Sequence, residues 1–282
     1  MIEGSRNGDS HELSRRHFLR RSAVAIGALP FVSAAKPGSA APKTAFQVAC
    51  MTLPYSQFSF ARALQGLRDA EYKFVAWGTT HREGGEELPV LAPDAPPPIA
   101  RDLASRCRDH GLEPVMLFSG IYPEHKDAVT TFTSRIKQAS AAGIPQVLTF
   151  GHTQGGNREL WIKRFRELAP VARDHGVMIV IKQHGGETGT GAACAEIVRA
   201  IQHDSIKVNY DAGNVMDYLN VDPIPDIKTC ASDIRSFCIK DHRNFPKDED
   251  CGPGFGEIDH YKLLNTVAFT GLTLPLCCEN IF

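Results

Sequence analysis

The sequence predicts a (β/α)8 barrel. Eight short apolar runs recur after residue 45, at about 30 residues from start to start, the size of one βα unit. Helix-period segments separate them. Several of those segments stop at a glycine directly before the next run, as helices do when they cap in the left-handed conformation.

The runs are Phe46–Thr52, Lys73–Gly78, Pro114–Ser119, Gln146–Gly151, Val177–His184, Ile206–Asp211, Ser236–Asp241 and Leu272–Glu279. Most are continuous rather than alternating, the pattern of strands covered on both faces. Before the fourth run, Val129, Phe132, Ile136 and Ala139 form one helical stripe; before the fifth, Trp161, Phe165, Leu168 and Ala172 form another. Gly111, Gly143, Gly176 and Gly271 are the expected stops, and Arg-Asp-His-Gly occurs twice, at 108–111 and 173–176. The proline cluster Ala92–Ala100 reads as a long loop after the second strand. No linker interrupts the series, which argues against two domains and against a doubly wound sheet. Phe282 lies three residues beyond the eighth strand, so the expectation is a barrel without its eighth helix, from a truncated polypeptide.

Composition sets outer limits. With 282 residues, 43% hydrophobic and 22% charged, the chain is neither disordered nor collagen-like nor a polytopic membrane protein. A net charge of −1 argues against a nucleic-acid partner held by bulk phosphate attraction. The 8 cysteines are scattered without a CxxC spacing and read as buried thiols.

Ser14-Arg15-Arg16-His17-Phe18-Leu19-Arg20 precedes a mildly apolar run, Ser22 to Ala35, too short for a stable membrane span. Small residues follow at Val32-Ser33-Ala34 and Gly38-Ser39-Ala40. The order resembles a twin-arginine export signal. That resemblance implies that residues 1–41 are signal and linker, that the twin-arginine machinery is a partner, and that residues 42–282 form a periplasmic or extracellular barrel.

Barrel chemistry sits at the C-terminal strand ends. Strand five ends Lys182-Gln183-His184, strand six Asn209-Tyr210-Asp211, strand seven Cys238-Ile239-Lys240-Asp241-His242, and strand eight Cys277-Cys278-Glu279. Residues two apart share a strand face. Lys182, His184, Lys240 and His242 are therefore expected to converge with Asp211 and Glu279. Such a density of charge needs pairing or a ligand.

Val-Asn-Tyr-Asp-Ala-Gly-Asn at 208–214 resembles the strand-six motif of xylose-isomerase-like TIM barrels, the sugar isomerases and epimerases related to the endonuclease IV fold. Cys-Ile-Lys-Asp at 238–241 is similar to their His-x-Lys-Asp. Gly254 to Asp259 is similar to their Gly-x-Gly-x-x-Asp loop, and Leu274 to Glu279 to their last strand, ending in a metal-binding glutamate. The resemblance covers residues 46 to 282. It implies a divalent metal held by Glu, Asp, His and Glu at strands five to eight. Asp211 and Glu279 match; Lys182 stands where the first Glu belongs and Cys238 where the His belongs.

Two arrangements stay open. His184, Asp211, His242 and Glu279 form a shifted metal site, whose mixed N/O donors suit Zn²⁺, Mn²⁺ or Fe²⁺, with Mg²⁺ possible. Alternatively Lys182 and Lys240 neutralise Asp211 and Glu279 without a metal. In either case Glu279, Lys182 and Lys240 are the candidate catalytic groups, and His152, Asn214 and Arg243 are candidate contacts to a small carbohydrate. His81 is a further strand-end candidate or an ordinary loop histidine. The glycine-rich runs His184–Gly191 and Cys251–Gly256 either cradle an anion or turn the chain. His110, His175 and His203 fit helix ends, and Cys277 and Cys278 point to opposite faces. The function read from this is an exported sugar isomerase or epimerase moving a proton next to a carbonyl. A lyase or hydrolase on a glycoside or cyclic polyol, and a carbohydrate-binding barrel with a degenerate metal site, are the alternatives.

Overall fold

In the computed structural model, which describes residues 41–279, eight parallel strands pair in sequence order and the last pairs with the first. They are β1 (Ala45–Met51), β2 (Phe74–Trp77), β3 (Glu113–Phe118), β4 (Gln146–Phe150), β5 (Met178–Lys182), β6 (Ile206–Asp211), β7 (Ile234–Ile239) and β8 (Thr273–Cys278). The closing register runs from Ala45 opposite Thr273 to Cys50 opposite Cys278. This is the (β/α)8 TIM barrel that the repeat predicts.

Eight α-helices are found among the described residues: α1 (Phe60–Asp69), α2 (Pro97–Asp109), α3 (Ala128–Ala142), α4 (Arg158–Asp174), α5 (Gly191–Ile201), α6 (Ala212–Leu219), α7 (Pro223–Cys230) and α8 (His260–Asn265). Two of them, α6 and α7, lie between β6 and β7, and no helix follows β8 among the described residues. Phe132, Ile136 and Ala139 on α3, and Trp161, Phe165, Leu168 and Ala172 on α4, are buried against the barrel as their spacing requires. Gly111, Gly143, Gly176 and Gly271 all adopt positive φ.

Two segments differ from expectation. Ala92–Ala100 is only half loop, because Pro97 and Pro98 open α2, where a missing N–H costs nothing. Its first part is pinned by α3: Arg135 donates to the Leu91 carbonyl and Gln138 to those of Ala92 and Ala95. The region after β7 is a second small sheet, with Asp241–Arg243 antiparallel to Glu249–Cys251. A similar hairpin, Thr80–Glu83 with Glu86–Pro89, follows β2.

The strands divide two cores by their period of two. Ile179 and Ile181, Val208 and Tyr210, Phe237 and Ile239, and Leu274 and Leu276 face outward to the helices. Ala49, Met51, Ala76, Met116, Leu148, Val180, Cys238 and Cys277 fill the lumen. Cys277 and Cys278 do point to opposite faces, and all 8 cysteines are free thiols. Up to the level of Val180 and Cys277 these apolar side chains share the lumen with the buried pair Asn209 and Ser236, whose side chains bond each other at 2.8 Å. One step further along each strand come Lys182, Asp211, Lys240 and Glu279. No described helix is long and apolar enough to cross a membrane. The proposed signal falls on residues outside the described part.

Candidate active site at the barrel mouth

Alternation that sends Val180 into the lumen sends Lys182 there too, at the last residue of β5. Asp211 closes β6 in the same way and also caps α6, its Oδ1 accepting from the Asn214 amide at 3.0 Å. Lys240 follows Cys238 from β7. Glu279 follows Cys277 from β8, its amide donating to the Ile239 carbonyl at 2.9 Å. Lys182 is 2% exposed, Asp211 0% and Lys240 7%.

The four side chains meet. Lys182 Nζ donates to both Glu279 oxygens, at 2.7 and 2.8 Å, and lies 3.2 Å from Asp211 Oδ2. That last contact is within ion-pair reach but not aligned as a hydrogen bond, so Asp211 Oδ2 has no hydrogen-bond partner among the described residues. Lys240 Nζ lies 3.7 Å from Glu279 Oε2 and 4.0 Å from Asp211 Oδ2, and pairs with Asp250 at 2.9 Å. Burial alone would neutralise each group. In Lys182 it is outweighed by the Glu279 and Asp211 carboxylates, which keep the ammonium well above the usual lysine range. In Glu279 it is outweighed by the two ammonium groups, which bring the carboxyl down to about 2. In Asp211 burial wins over both lysines and pushes the carboxyl up to about 6.

Above this quartet opens a cavity of about 340 Å³, lined by Lys182, Lys240, Glu279, Asn214, His184 and Tyr218 among others. Asn214 donates to the Gln183 carbonyl at 2.7 Å, and its Oδ1 is buried without a partner. Two rings line the cavity, His184 and Tyr218, 5.2 Å apart between ring centres. Phe150 packs on His184 at 4.5 Å and Tyr122 on Phe150 at 6.0 Å, and these two line a separate cavity. Acceptors on the floor beside an aromatic wall suit a small polyhydroxylated molecule.

The other sequence candidates fall outside the quartet. β5 ends at Lys182, so His184 escapes the strand alternation; its Nδ1 pairs with the Gly151 carbonyl at 2.7 Å and its ring joins the wall. His242 sits in the hairpin after β7, with Nδ1 3.2 Å from Asp250 and Nε2 3.1 Å from Asp248. The four-residue set His184, Asp211, His242 and Glu279 is therefore not brought together. Arg243 is paired with Glu249 across the same hairpin. His152 stacks on Tyr122 at 3.9 Å, with its side chain 45% exposed. His81 is buried under Phe60 and bonded to the Phe58 carbonyl.

In both glycine-rich runs several amides are engaged within the protein. In the first, the amides of Glu187, Thr188 and Gly189 go to the carbonyls of Gly155, Gly185 and Gly186, and that of Gly191 goes to Asp226. A Cβ on Gly185 would lie 2.3 Å from the Thr153 carbonyl oxygen, so this glycine serves close chain packing at φ +75°. In the second, Asp241 accepts from the amides of Gly254 and Ile258. Asp250, Tyr218 and Gln183, whose Oε1 receives the Asp211 amide at 2.8 Å, belong to the site without having been foreseen. The acidic run Asp248–Asp250 was the only hint of the first.

Among the described residues, two groups bring candidate metal-ligand atoms within 4.8 Å of one another: Asp211, Cys238 and Glu279, and Asp217, His242 and Asp250. In the first, the Lys182 ammonium stands at 2.7 to 3.2 Å from the carboxylate oxygens that an ion would need. An ion would bind those oxygens at about 2.0–2.2 Å, in the space of the ammonium hydrogens. Burial also holds the Cys238 thiol neutral, well above the usual cysteine range, whereas a ligand must be a thiolate. This group does not fit a divalent ion. In the second, Asp250 already pairs with both Lys240 and His242.

Fold and site together define a (β/α)8 barrel with a charged centre at its C-terminal mouth. The chain belongs to the xylose isomerase-like TIM barrel family, whose model matches residues 64–281. Among solved structures it is similar to a xylose isomerase-like TIM barrel protein from Mycobacterium smegmatis in complex with magnesium (16% identity, 83% of this chain and 89% of that one, TM-score 0.68). It is also similar to the probable 3-DHS dehydratase AsbF of Bacillus anthracis (14%, 82% and 92%, TM-score 0.63) and to a D-psicose 3-epimerase crystallised with D-fructose (12%, 81% and 84%, TM-score 0.58). At these identities the likeness is one of fold. No curated protein matches the sequence.

Proposed function

We propose that this barrel is a proton-transfer enzyme, an isomerase or epimerase of a small sugar. The observation that carries the reading is the Lys182–Glu279–Asp211–Lys240 quartet on the floor of a solvent-connected cavity. Sugar hydroxyls donate to the Glu279 carboxylate, and one apolar sugar face lies against His184 and Tyr218, which line the cavity. Glu279, the carboxylate that lines the cavity, takes the proton from the carbon beside the carbonyl. The C–H electron pair becomes the new C=C bond, and the carbonyl π pair moves to oxygen, which takes a proton from the Lys240 ammonium. Return of a proton to the former carbonyl carbon, with the other enediol hydroxyl giving its proton to the Lys240 amine as its C=O forms, gives the isomer. Return to the opposite face of the original carbon, with the first oxygen handing its proton back to Lys240, gives the epimer. Carboxylate oxygens of Glu279 and Asp211 lie within 4.8 Å of one another, on either side of the Lys182 ammonium. The abstracted proton therefore passes on to Asp211, whose raised pKa matches a general base working near neutrality.

The test is exchange of the carbon-bound hydrogen in D₂O, followed by NMR over a panel of free ketoses and aldoses and their phosphates. The wild type should label a sugar next to its carbonyl, and Glu279→Gln should slow labelling by about 10²–10⁴-fold. Loss of water from the substrate would identify a lyase instead; saturable binding without labelling would identify a carbohydrate-binding barrel. We further propose export by the twin-arginine route. A reporter fused after residue 41 should reach the extracytoplasmic side, and Arg15→Lys with Arg16→Lys should retain it inside.

A further inference from the structure

We propose that the Lys182 ammonium is the resident cation of this barrel, and that the Asp211–Glu279 centre works without a divalent metal. The inference concerns the site assigned above, but its test needs no turnover.

Position comes first. Lys182 Nζ is held at 2.7 and 2.8 Å by the two oxygens of Glu279 and at 3.2 Å by Asp211. On a further side the Phe150 ring lies 5.4 Å from the same nitrogen, offering its negative face to a cation. Charge agrees. Two ammonium groups already balance two carboxylates in a buried place, and a dication added there would meet uncompensated repulsion in a weakly screening medium. Lys240 guards the remaining approach, held from outside by Asp250 at 2.9 Å. Its stem depends on Gly213, where a Cβ would lie 2.6 to 3.1 Å from Lys240 Cγ, Cε and Cδ. Room for the second lysine is thus built into the first turn of α6. Both departures from the resembled ligand pattern, Lys182 and Cys238, act together: one supplies a fixed charge and the other supplies none.

The experiment compares metal content and melting of the full chain after loading with Mn²⁺ or Zn²⁺ and dialysis. Wild type and Asp211→Asn should carry the same metal content, and EDTA should leave the wild-type Tm unchanged. Lys182→Ala, with two buried carboxylates and no partner, should melt lower and recover by several degrees with Mn²⁺ or Zn²⁺. Lys182→Glu should gain about one ion per chain, and Asp211→Asn in the same chain should remove it. An ion held by the wild type and lost on Asp211→Asn overturns the proposal, as does a Lys182→Ala protein that folds and ignores both metals. Should neither Lys182 variant fold, the wild-type comparison still decides. A metal-free wild type that labels no sugar leaves this inference standing and removes the isomerase reading. A metal-loaded, active one does the reverse.

Discussion

Asp211 shows how far burial can move a single carboxyl. Its pKa rises from 3.8 to about 6 on folding because burial outweighs the two nearby ammonium groups. The folded state thus binds this proton more tightly than the unfolded state. The associated stability is fully present below pH ~4 and is lost as pH rises from ~4 to ~6. Glu279 has the opposite sign: lowered from 4.5 to about 2, it adds stability above pH ~4.5 that is lost as pH falls toward ~2. Denaturant titrations across this range should show Asp211→Asn losing the decline between pH ~4 and ~6, while Glu279→Gln loses the acid-side fall. An unchanged profile in Asp211→Asn would show that the carboxyl does not titrate in this window. These residues were legible because each continues the inward alternation of its strand. His184 and His242 obey the same spacing on paper, but they lie two and three residues past the strand ends Lys182 and Ile239, whereas Lys240 and Glu279 lie one residue past theirs and keep the alternation.

Strand-to-helix loops set the mouth, and their glycines are not equivalent. Gly185 has φ +75°, and a Cβ there would meet the Thr153 backbone at 2.3 Å; Gly84, in the hairpin after β2, has φ +60° with nothing within 4 Å. Gly84→Ala should therefore cost only the left-handed strain of about 1–2 kcal/mol. Gly185→Ala should cost about 3 kcal/mol or more, since backbone cannot yield as a side chain can. Equal losses in chemical denaturation would mean that the 151–156 segment gives way freely. The eight strands and the glycine stops were readable from local pattern. The two hairpins were not, because their short strands lack an apolar face: Glu86–Pro89 is exposed throughout. Nor was α6, whose start at Ala212 directly after Asp211 leaves no turn signal between strand and helix.

The barrel is closed by its most distant partners in sequence. Residues 45–50 pair with 273–278 in β1 and β8, and Leu274 and Leu276 bind that seam to the outer core. Leu274, 1% exposed, is the test point: Leu274→Ala should destabilise by about 2–5 kcal/mol in equilibrium unfolding. A loss below about 1 kcal/mol would show that the last strand is held by its backbone pairing alone. The repeat in the sequence announced this architecture as a whole, since eight units of one size close in a single way. It could not announce which strand ends remain in register with the lumen.

The quartet draws on strands that a growing chain completes at different times. Lys182, Asp211 and Lys240 come from three consecutive units, whereas Glu279 arrives with the last strand. Until β8 docks, two ammonium groups face one carboxylate in the half-built lumen, a charge imbalance that resists drying of the interior. Docking supplies the missing negative charge and the final strand pairing in one event. Closure of the sheet and completion of the charged quartet thus depend on one and the same strand.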